Sequence, residues 1–409
     1  MTQIIPGERL PPRVRTARSR ISEFADELHA LIRRYPSFVL TSKGPAPGEI
    51  PVFVFHTIEP ADFEEQLRYL VSNGYRTLAM AEFLDIMAGR IRGSGREVLL
   101  TIDDARSSTW FYALPLLRRH GCHAVTFAIT GWTRDAPQVR PNLDSGASVE
   151  ELAALDMGDK NVCSWSELAA MQTSGHMDVE SHTHRHARVF AAPNLLDFLD
   201  EGSPASGFSC MASPYLAAHP LPAEADLESY WGAPLLPTRP LTGGGEYFEI
   251  PEETVSLLHE TYVKERAKGL SGIVLREALH RRIRACLANL PPLRKIDSKT
   301  AYRRLLGEID MARQLLVQRL RVPSVGRTLC VPFTLGSERT VDAARELGIE
   351  AVFWGSDAQC RINFAGMDLL RAVRLKNDFI HRLPGNGRRS LADVFRHKAS
   401  RRLAGSTGY

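Results

Sequence analysis

The sequence predicts an α/β fold, a parallel sheet or barrel with helices outside it, interrupted by a long insertion. The stretch Glu97-Val98-Leu99-Leu100-Thr101-Ile102-Asp103-Asp104 is an apolar run that ends in two adjacent carboxylates. Residues of that kind form a short strand buried on both faces. Strand-like and helix-like segments alternate on either side of it, the pattern of a parallel β/α architecture. Between about Pro193 and Ala301 the alternation stops. There Pro214, Pro220, Pro222, Pro234, Pro237 and Pro240, then Gly243-Gly244-Gly245, describe a long irregular segment that a compact fold keeps only for a purpose.

Taken in order, the core reads as a strand over 51–55, a helix over 61–72, a strand over 76–80, a helix over 82–89 and the carboxylate strand over 98–103. A helix over 109–120 closed by Gly121 follows, then a strand over 123–129 and a helix over 164–173 opening on Trp165-Ser166-Glu167-Leu168. Met177-Asp178-Val179 is strand-like, and the residues after it read as loop becoming helix. Beyond the insertion come a helix over 302–320 with Leu305, Ile309, Leu315 and Leu316 inward, a strand over 328–331, a helix over 338–347 ended by Gly348, and a strand over 350–354. Inside the insertion, 255–290 looks helical and its basic pairs such as Arg281-Arg282 read as a solvated face. Ahead of the core, Ile21, Phe24, Leu28, Leu31 and Ile32 at helical spacing predict an amphipathic helix over 18–34.

With 409 residues and 44% hydrophobic content, the chain can bury a substantial core as one large domain with insertions or as two domains. A net charge of +4 over that length gives no argument for nucleic acid, and basic and aromatic residues do not interleave. The six cysteines lie far apart with no Cys-x-x-Cys pair, as ordinary thiols of a reducing compartment do. No stretch has the apolar core of a signal peptide or approaches the 18 apolar residues of a membrane span, so a cytoplasmic protein is expected. Oligomeric state is not legible.

The chemistry is concentrated in two places. In parallel β/α folds ligands bind beyond the carboxyl ends of the strands, so Asp103 and Asp104 should project into a site. Two neighbouring carboxylates repel and are costly to desolvate unless a cation or hydrogen-bond donors neutralise one of them. The plainer alternative is a turn or a helix cap, with Ser107-Ser108 just downstream. The second place is His182-Thr183-His184-Arg185-His186, and imidazole is the commonest side-chain ligand for zinc and similar ions. On a strand all three imidazoles would face one way, whereas a helix after Ser181 would pair His182 with His186 at i,i+4. The second reading is favoured. With Asp104 it gives two nitrogens and one oxygen, a count that leaves a position open for water. In the insertion, Tyr230-Trp231-Gly232-Ala233-Pro234 and Tyr247-Phe248 suit either a lid with a sugar-stacking wall, in which Trp231 touches substrate, or an inserted subdomain on the barrel side.

Thr101-Ile102-Asp103-Asp104-Ala105 together with His182-Thr183-His184-Arg185-His186 resembles the first two motifs of the polysaccharide deacetylase family (NodB homology domain, carbohydrate esterase family 4), written Thr-Phe-Asp-Asp-Gly and His-Ser/Thr-x-x-His. Pro51-Val52-Phe53-Val54-Phe55-His56 is similar to the first barrel strand of several of its branches. The resemblance runs from about residue 50 to 190 and again from 305 to 375. It implies a distorted (β/α) barrel of the NodB-homology type, divided as an N-terminal extension (1–48), a first barrel part (49–190), an insertion (191–300), a second barrel part (301–375) and a C-terminal segment (376–409).

The resemblance also implies roles. Asp104, His182 and His186 would hold a divalent metal, most simply Zn²⁺, with Asp103 as general base and His56 at the substrate. Cys330-Val331-Pro332-Phe333-Thr334-Leu335-Gly336 sits where the family has Arg-x-Pro-Tyr/Phe-Gly. Pro332 and Phe333 match and would line the substrate groove, Phe333 also offering its backbone N–H to the oxyanion. The arginine that orients the base is replaced by Cys330, and the glycine comes late. His381 is the best candidate for the family's general acid, although its surroundings match poorly and a surface histidine fits as well. The family's fourth motif has only a weak echo at Trp354-Gly355-Ser356-Asp357. The activity so implied is hydrolytic removal of an N-acetyl group from an amino sugar in a polysaccharide or glycoconjugate. A deformylase or amidase on the same scaffold, and a glycan-binding protein with a decayed site, are the alternatives.

Overall fold

The apolar run that ends in Asp103 and Asp104 is the central strand of a parallel sheet, with every residue buried. The computed structural model describes residues 2–3, 35–156, 161–200, 214–215, 227–286, 290–355 and 362–403. The helix expected over 18–34 lies outside the described residues, as do Cys210 and Cys360. The strands of the two larger sheets are β1 (Val52–Phe55), β2 (Arg76–Thr77), β3 (Glu97–Asp104), β4 (Ala124–Ala128) and β5 (Met177–Ser181), then β6 (Arg188–Phe190), β7 (Thr238–Pro240), β8 (Tyr247–Glu249) and β9 (Arg294–Ile296), and finally β10 (Thr328–Cys330), β11 (Ala351–Phe353) and β12 (Leu375–Lys376). The main sheet runs in the order β11-β10-β5-β4-β3-β1-β12, with β2 added on β3, and its pairs are all parallel. A bridge between Phe353 and Ala372 joins its two ends, so the sheet closes as a distorted barrel.

Alternation along β3 divides the packing between the barrel's two sides. Leu99 belongs to a cluster with Val52, Val125, Phe127, Cys330 and Phe353, which fills the barrel. Val98, Leu100 and Ile102 pack with Phe53, Phe63, Leu67 and Leu117 under the outer helices. Those helices include α1 (Pro60–Ser72), started by Pro60 and capped by Glu59, whose carboxylate accepts from the Asp62 amide at 2.7 Å. The next helix, α2 (Met80–Met87), differs in place: Met80, Phe83, Leu84 and Met87 join the interior cluster and close the lower mouth. The strand expected over 76–80 is short because Met80 already begins this helix. The segment 109–120 starts as a π-turn, Thr109–Ala113, and continues as α3 (Leu114–His120), ended by Gly121 in the left-handed region. Helix α4 (Trp165–Thr173) is fixed by a capping box between Ser164 and Glu167.

The insertion is more regular than its prolines and glycines predict. Strands β7, β6, β8 and β9 form an antiparallel sheet in that order. Helices α5 (Glu252–Ala267) and α6 (Gly272–Cys286) pack on one another beside it, broken at Gly269. Phe190, Phe198, Leu236, Leu258, Tyr262, Leu279 and Leu293 make a core of its own. The chain then returns through α7 (Ser298–Leu320), α8 (Glu338–Glu346) and, after β12, α9 (Leu391–Leu403). No helix among the described residues is long and apolar enough to cross a membrane.

Candidate active site

The parallel register sets the upper ends of β1, β3, β4, β5 and β10 side by side: Phe55 is opposite Ile102, Asp104 opposite Ala128, Ala128 opposite Ser181, and Ser181 opposite Leu329. Alternation points Thr101 and Asp103 into the barrel and would send Asp104 away from it. The backbone prevents this. Asp104 and Ala105 adopt left-handed φ values of 70° and 48°, rare for residues with a Cβ, and this turn keeps the second carboxylate at the rim.

His182 and His186 meet Asp104 there. Asp104 Oδ1 is 3.5 Å from His182 Nε2 and 3.9 Å from His186 Nε2. These spacings exceed hydrogen-bond length, and donor atoms of all three buried residues lie within 4.8 Å of one another, which suits three ligands sharing one cation. The His182 Nδ1–H donates to the Cys330 carbonyl at 2.9 Å and so aims Nε2 inward, where a bound cation would take the place of the proton that Cys330, Asp103 and Asp104, outweighing burial, favour on this imidazole. Burial, then the neighbouring His182, lowers His186 to a pKa of about 3, so it is neutral and able to ligate at physiological pH. For Asp104, the nearby His182 and the charges of His56, Arg106 and His186 outweigh burial and keep it ionised. Arg106 Nε bonds its other oxygen at 3.1 Å.

The pairing of His182 with His186 does not come from a helix. No helix follows Ser181; residues 182–187 are a loop in which Thr183 and His186 have φ values of 66° and 54°. Contacts from outside hold this loop, two of them to its backbone amide and carbonyl groups. The Arg185 amide donates to Glu308 on α7, and the Gly131 amide donates to the His184 carbonyl at 2.7 Å. A Cβ at residue 131 would sit 2.6 Å from that carbonyl oxygen. Gly131→Ala is therefore expected to push the loop outward, costing about 1–3 kcal/mol and weakening metal uptake, as thermal unfolding with and without added Zn²⁺ will show.

Asp103 has a different environment. Arg374, in the closing segment just before β12, grips it with both arms, Nη1 to Oδ1 at 2.6 Å and Nη2 to Oδ2 at 2.9 Å, both side chains being buried. Burial alone would raise this carboxyl; Arg374, then His182 and His56, more than offset it and hold it below the ordinary value. Arg374 also donates to the Trp354 carbonyl at 3.1 Å. Cys330 places its sulfur 3.5 Å from Asp103 Oδ2, so a small thiol occupies the motif's arginine position while the cation arrives from the segment that leads into β12. Asp103, His182 and Cys330 also have ligand-like spacing, but Arg374 already neutralises that carboxylate. His56, at the end of β1, has Nε2 3.7 Å from Asp103 Oδ2. Pro332 is buried, and Phe333, at φ 55° and 39% exposed, lays its ring 4.6 Å from His186.

Three other candidates stand apart from this group. His184 turns away to pair Nδ1 with Thr130 Oγ1 at 2.9 Å. His381 is neither a surface histidine nor at the rim. It is buried against Tyr69 of α1, ring centroids 4.8 Å apart, and faces Arg389, Glu65, His397 and Asp62. Burial and Arg389 lower it to about 4, so it carries no proton to donate at neutral pH. Trp231 lies in the insertion, its ring 5.9 Å from Tyr262 and its carbonyl accepting from His259, so its packing is that of a subdomain core. Arg374 is the residue that sequence reasoning missed. Its signal was the alternation Ala372-Val373-Arg374-Leu375, an arginine at an inward position of an apolar strand.

Residues 90–201 match the family model described as polysaccharide deacetylase. The putative polysaccharide deacetylase YxkH of Bacillus subtilis (strain 168) is 29% identical over 91 residues, which are 20% of this chain and 33% of that protein. The match thus spans about a third of that relative's length. Among solved structures, a de-N-acetylase from Aggregatibacter actinomycetemcomitans is similar at a TM-score of 0.49 and 13% identity, covering 85% of this chain and 99% of that one. IcaB from Ammonifex degensii is similar at a TM-score of 0.45 and 16% identity, covering 87% and 98%. The resemblance carried by the Asp-Asp and His-rich motifs is borne out over the segment that contains both.

Proposed function

We propose that this chain, whose residues 90–201 carry the polysaccharide deacetylase pattern, is a metal-dependent hydrolase that removes an N-acetyl group from an amino sugar of a polysaccharide or glycoconjugate. One observation carries the reading: a buried carboxylate held ionised by Arg374 stands beside, and separate from, a set of two imidazoles and one carboxylate spaced for a cation. A divalent ion there, most simply Zn²⁺, would polarise the acyl carbonyl and acidify a water.

Asp103 takes the proton of the water whose oxygen attacks the acetyl carbon. Arg374 keeps that carboxylate ionised and aimed. The Phe333 N–H stabilises the oxyanion, and the exposed Phe333 ring offers an apolar face to the sugar. As the C–N bond breaks, the amine nitrogen recovers the proton from Asp103. His56, the imidazole within reach of that carboxylate and outside the ligand set, relays it in the place that the resemblance gave to His381. Acetate and a free amino sugar leave.

The test is metal content of the purified protein together with acetate release from an acetylated amino-sugar oligomer. Wild type should hold about one ion per chain. Asp104→Ala and His182→Ala should lose both ion and activity, and His184→Ala, whose imidazole bonds Thr130, should keep the ion. Absence of metal after supplementation would sink the hydrolase reading, and loss of the ion in His184→Ala would break the ligand assignment.

A further inference from the structure

Buried and half-buried arginines in this protein are generally given a carboxylate. Arg374 has Asp103, Arg140 has Glu167, Arg276 has Asp197 and Asp200, and Arg304 has Glu249. Arg188, on β6 two residues after His186, is different. Its Nε donates to Thr238 Oγ1 at 2.8 Å and its Nη2 to the Thr238 carbonyl at 3.1 Å. Among the described residues no carboxylate pairs with it. Arg239 and Arg382 also lack one among the described residues, but their donors are turned to backbone carbonyls, those of Pro240, Gly245 and Glu246 for Arg239 and those of Val39 and Arg389 for Arg382.

The place of Arg188 is specific. Its guanidinium lies 4.6 Å over the Phe333 ring, and that ring is 4.6 Å from the imidazole of His186. One aromatic ring therefore separates a cation that has no carboxylate partner among the described residues from the proposed ligand set. A guanidinium removed from water with no counter-charge is unfavourable unless something else supplies the anion, and its planar fork matches carboxylate and phosphate.

Resting on the deacetylase reading above, we infer that the natural substrate is an anionic amino sugar, with a carboxylate or phosphate near the scissile amide that Arg188 receives while Phe333 supports the ring. Arg188 then sets specificity and takes no part in the proton transfers.

The experiment compares acetate release from a neutral N-acetylglucosamine oligomer, an oligomer containing N-acetylmuramic acid and N-acetylglucosamine 6-phosphate, using wild type, Arg188→Gln and Arg188→Lys. Binding of the 6-phosphate is measured calorimetrically in parallel. Wild type should prefer one of the anionic compounds by roughly tenfold to a hundredfold in kcat/KM, the preferred one identifying the anion. Arg188→Gln should bring that ratio near one, chiefly through KM, and Arg188→Lys should restore part of it. Equal losses on neutral and anionic compounds would make Arg188 a mere support for Phe333 and overturn the inference. Release from the neutral oligomer without anionic preference would overturn it too, leaving the deacetylase reading intact. Conversely, 6-phosphate binding that Arg188→Gln abolishes, with no acetate released from any compound, would keep the anion site and remove the deacetylase reading.

Discussion

Asp103→Asn is expected to lower acetate release by roughly 10²–10⁴-fold, the range for loss of a general base, while the bound metal stays in place. The proposed ligand set uses Asp104 and not Asp103, so the amide should leave metal content near that of wild type. A second effect accompanies the first. Arg374 would keep its buried position but lose its anion, and removing one partner of a buried pair costs about 3–5 kcal/mol. Rates must therefore be measured well below the variant's unfolding temperature, with metal content taken on the same samples. Activity within about fivefold of wild type in the folded, metallated variant would move the base elsewhere.

Arg374→Met should produce the complementary result. Burial raises the Asp103 carboxyl, and Arg374 is the largest influence opposing it. Without the guanidinium the carboxyl titrates at higher pH, so the acid limb of the kcat/KM profile moves upward and activity at slightly acid pH falls most. The stability effect has a definite sign. In wild type the depressed folded-state pKa contributes stability above the ordinary carboxylate pKa, and this is lost as pH falls through the folded value. The difference between wild type and variant in urea unfolding should thus be largest at neutral pH, about 3–5 kcal/mol, and should narrow on acidification towards about pH 4. Arg374→Lys restores a positive charge without the two-armed grip, so it should recover part of the stability and leave the base poorly aimed. A profile and stability identical to wild type in Arg374→Met would show that Asp103 needs no cation.

Residues that announce their environment through local pattern were readable from sequence. The run Val98 to Ile102 could only be a buried strand, and Asp103-Asp104 at its end had to be neutralised by something. His182 and His186 were also readable, although for the wrong local reason: they meet through left-handed backbone at Thr183 and His186, not on a helix face. A φ sign leaves no trace in a pattern of residue types unless glycine marks it. Arg374 was hidden because it stands just before a two-residue strand that sequence periodicity cannot resolve, some 270 residues after its partner. His381 misled because a histidine after an apolar residue looks the same whether it faces a cleft or Tyr69. The insertion looked irregular because its strands are two or three residues long, and such strands form only when their partners are already aligned.

The seam between Phe353 and Ala372 has a consequence for the order in which the molecule matures. Asp103 is made early, but the cation that neutralises it arrives with the last strand of the barrel. The segment that closes the barrel is thus also the one that brings Arg374 to Asp103, so closure and neutralisation of that carboxylate come together.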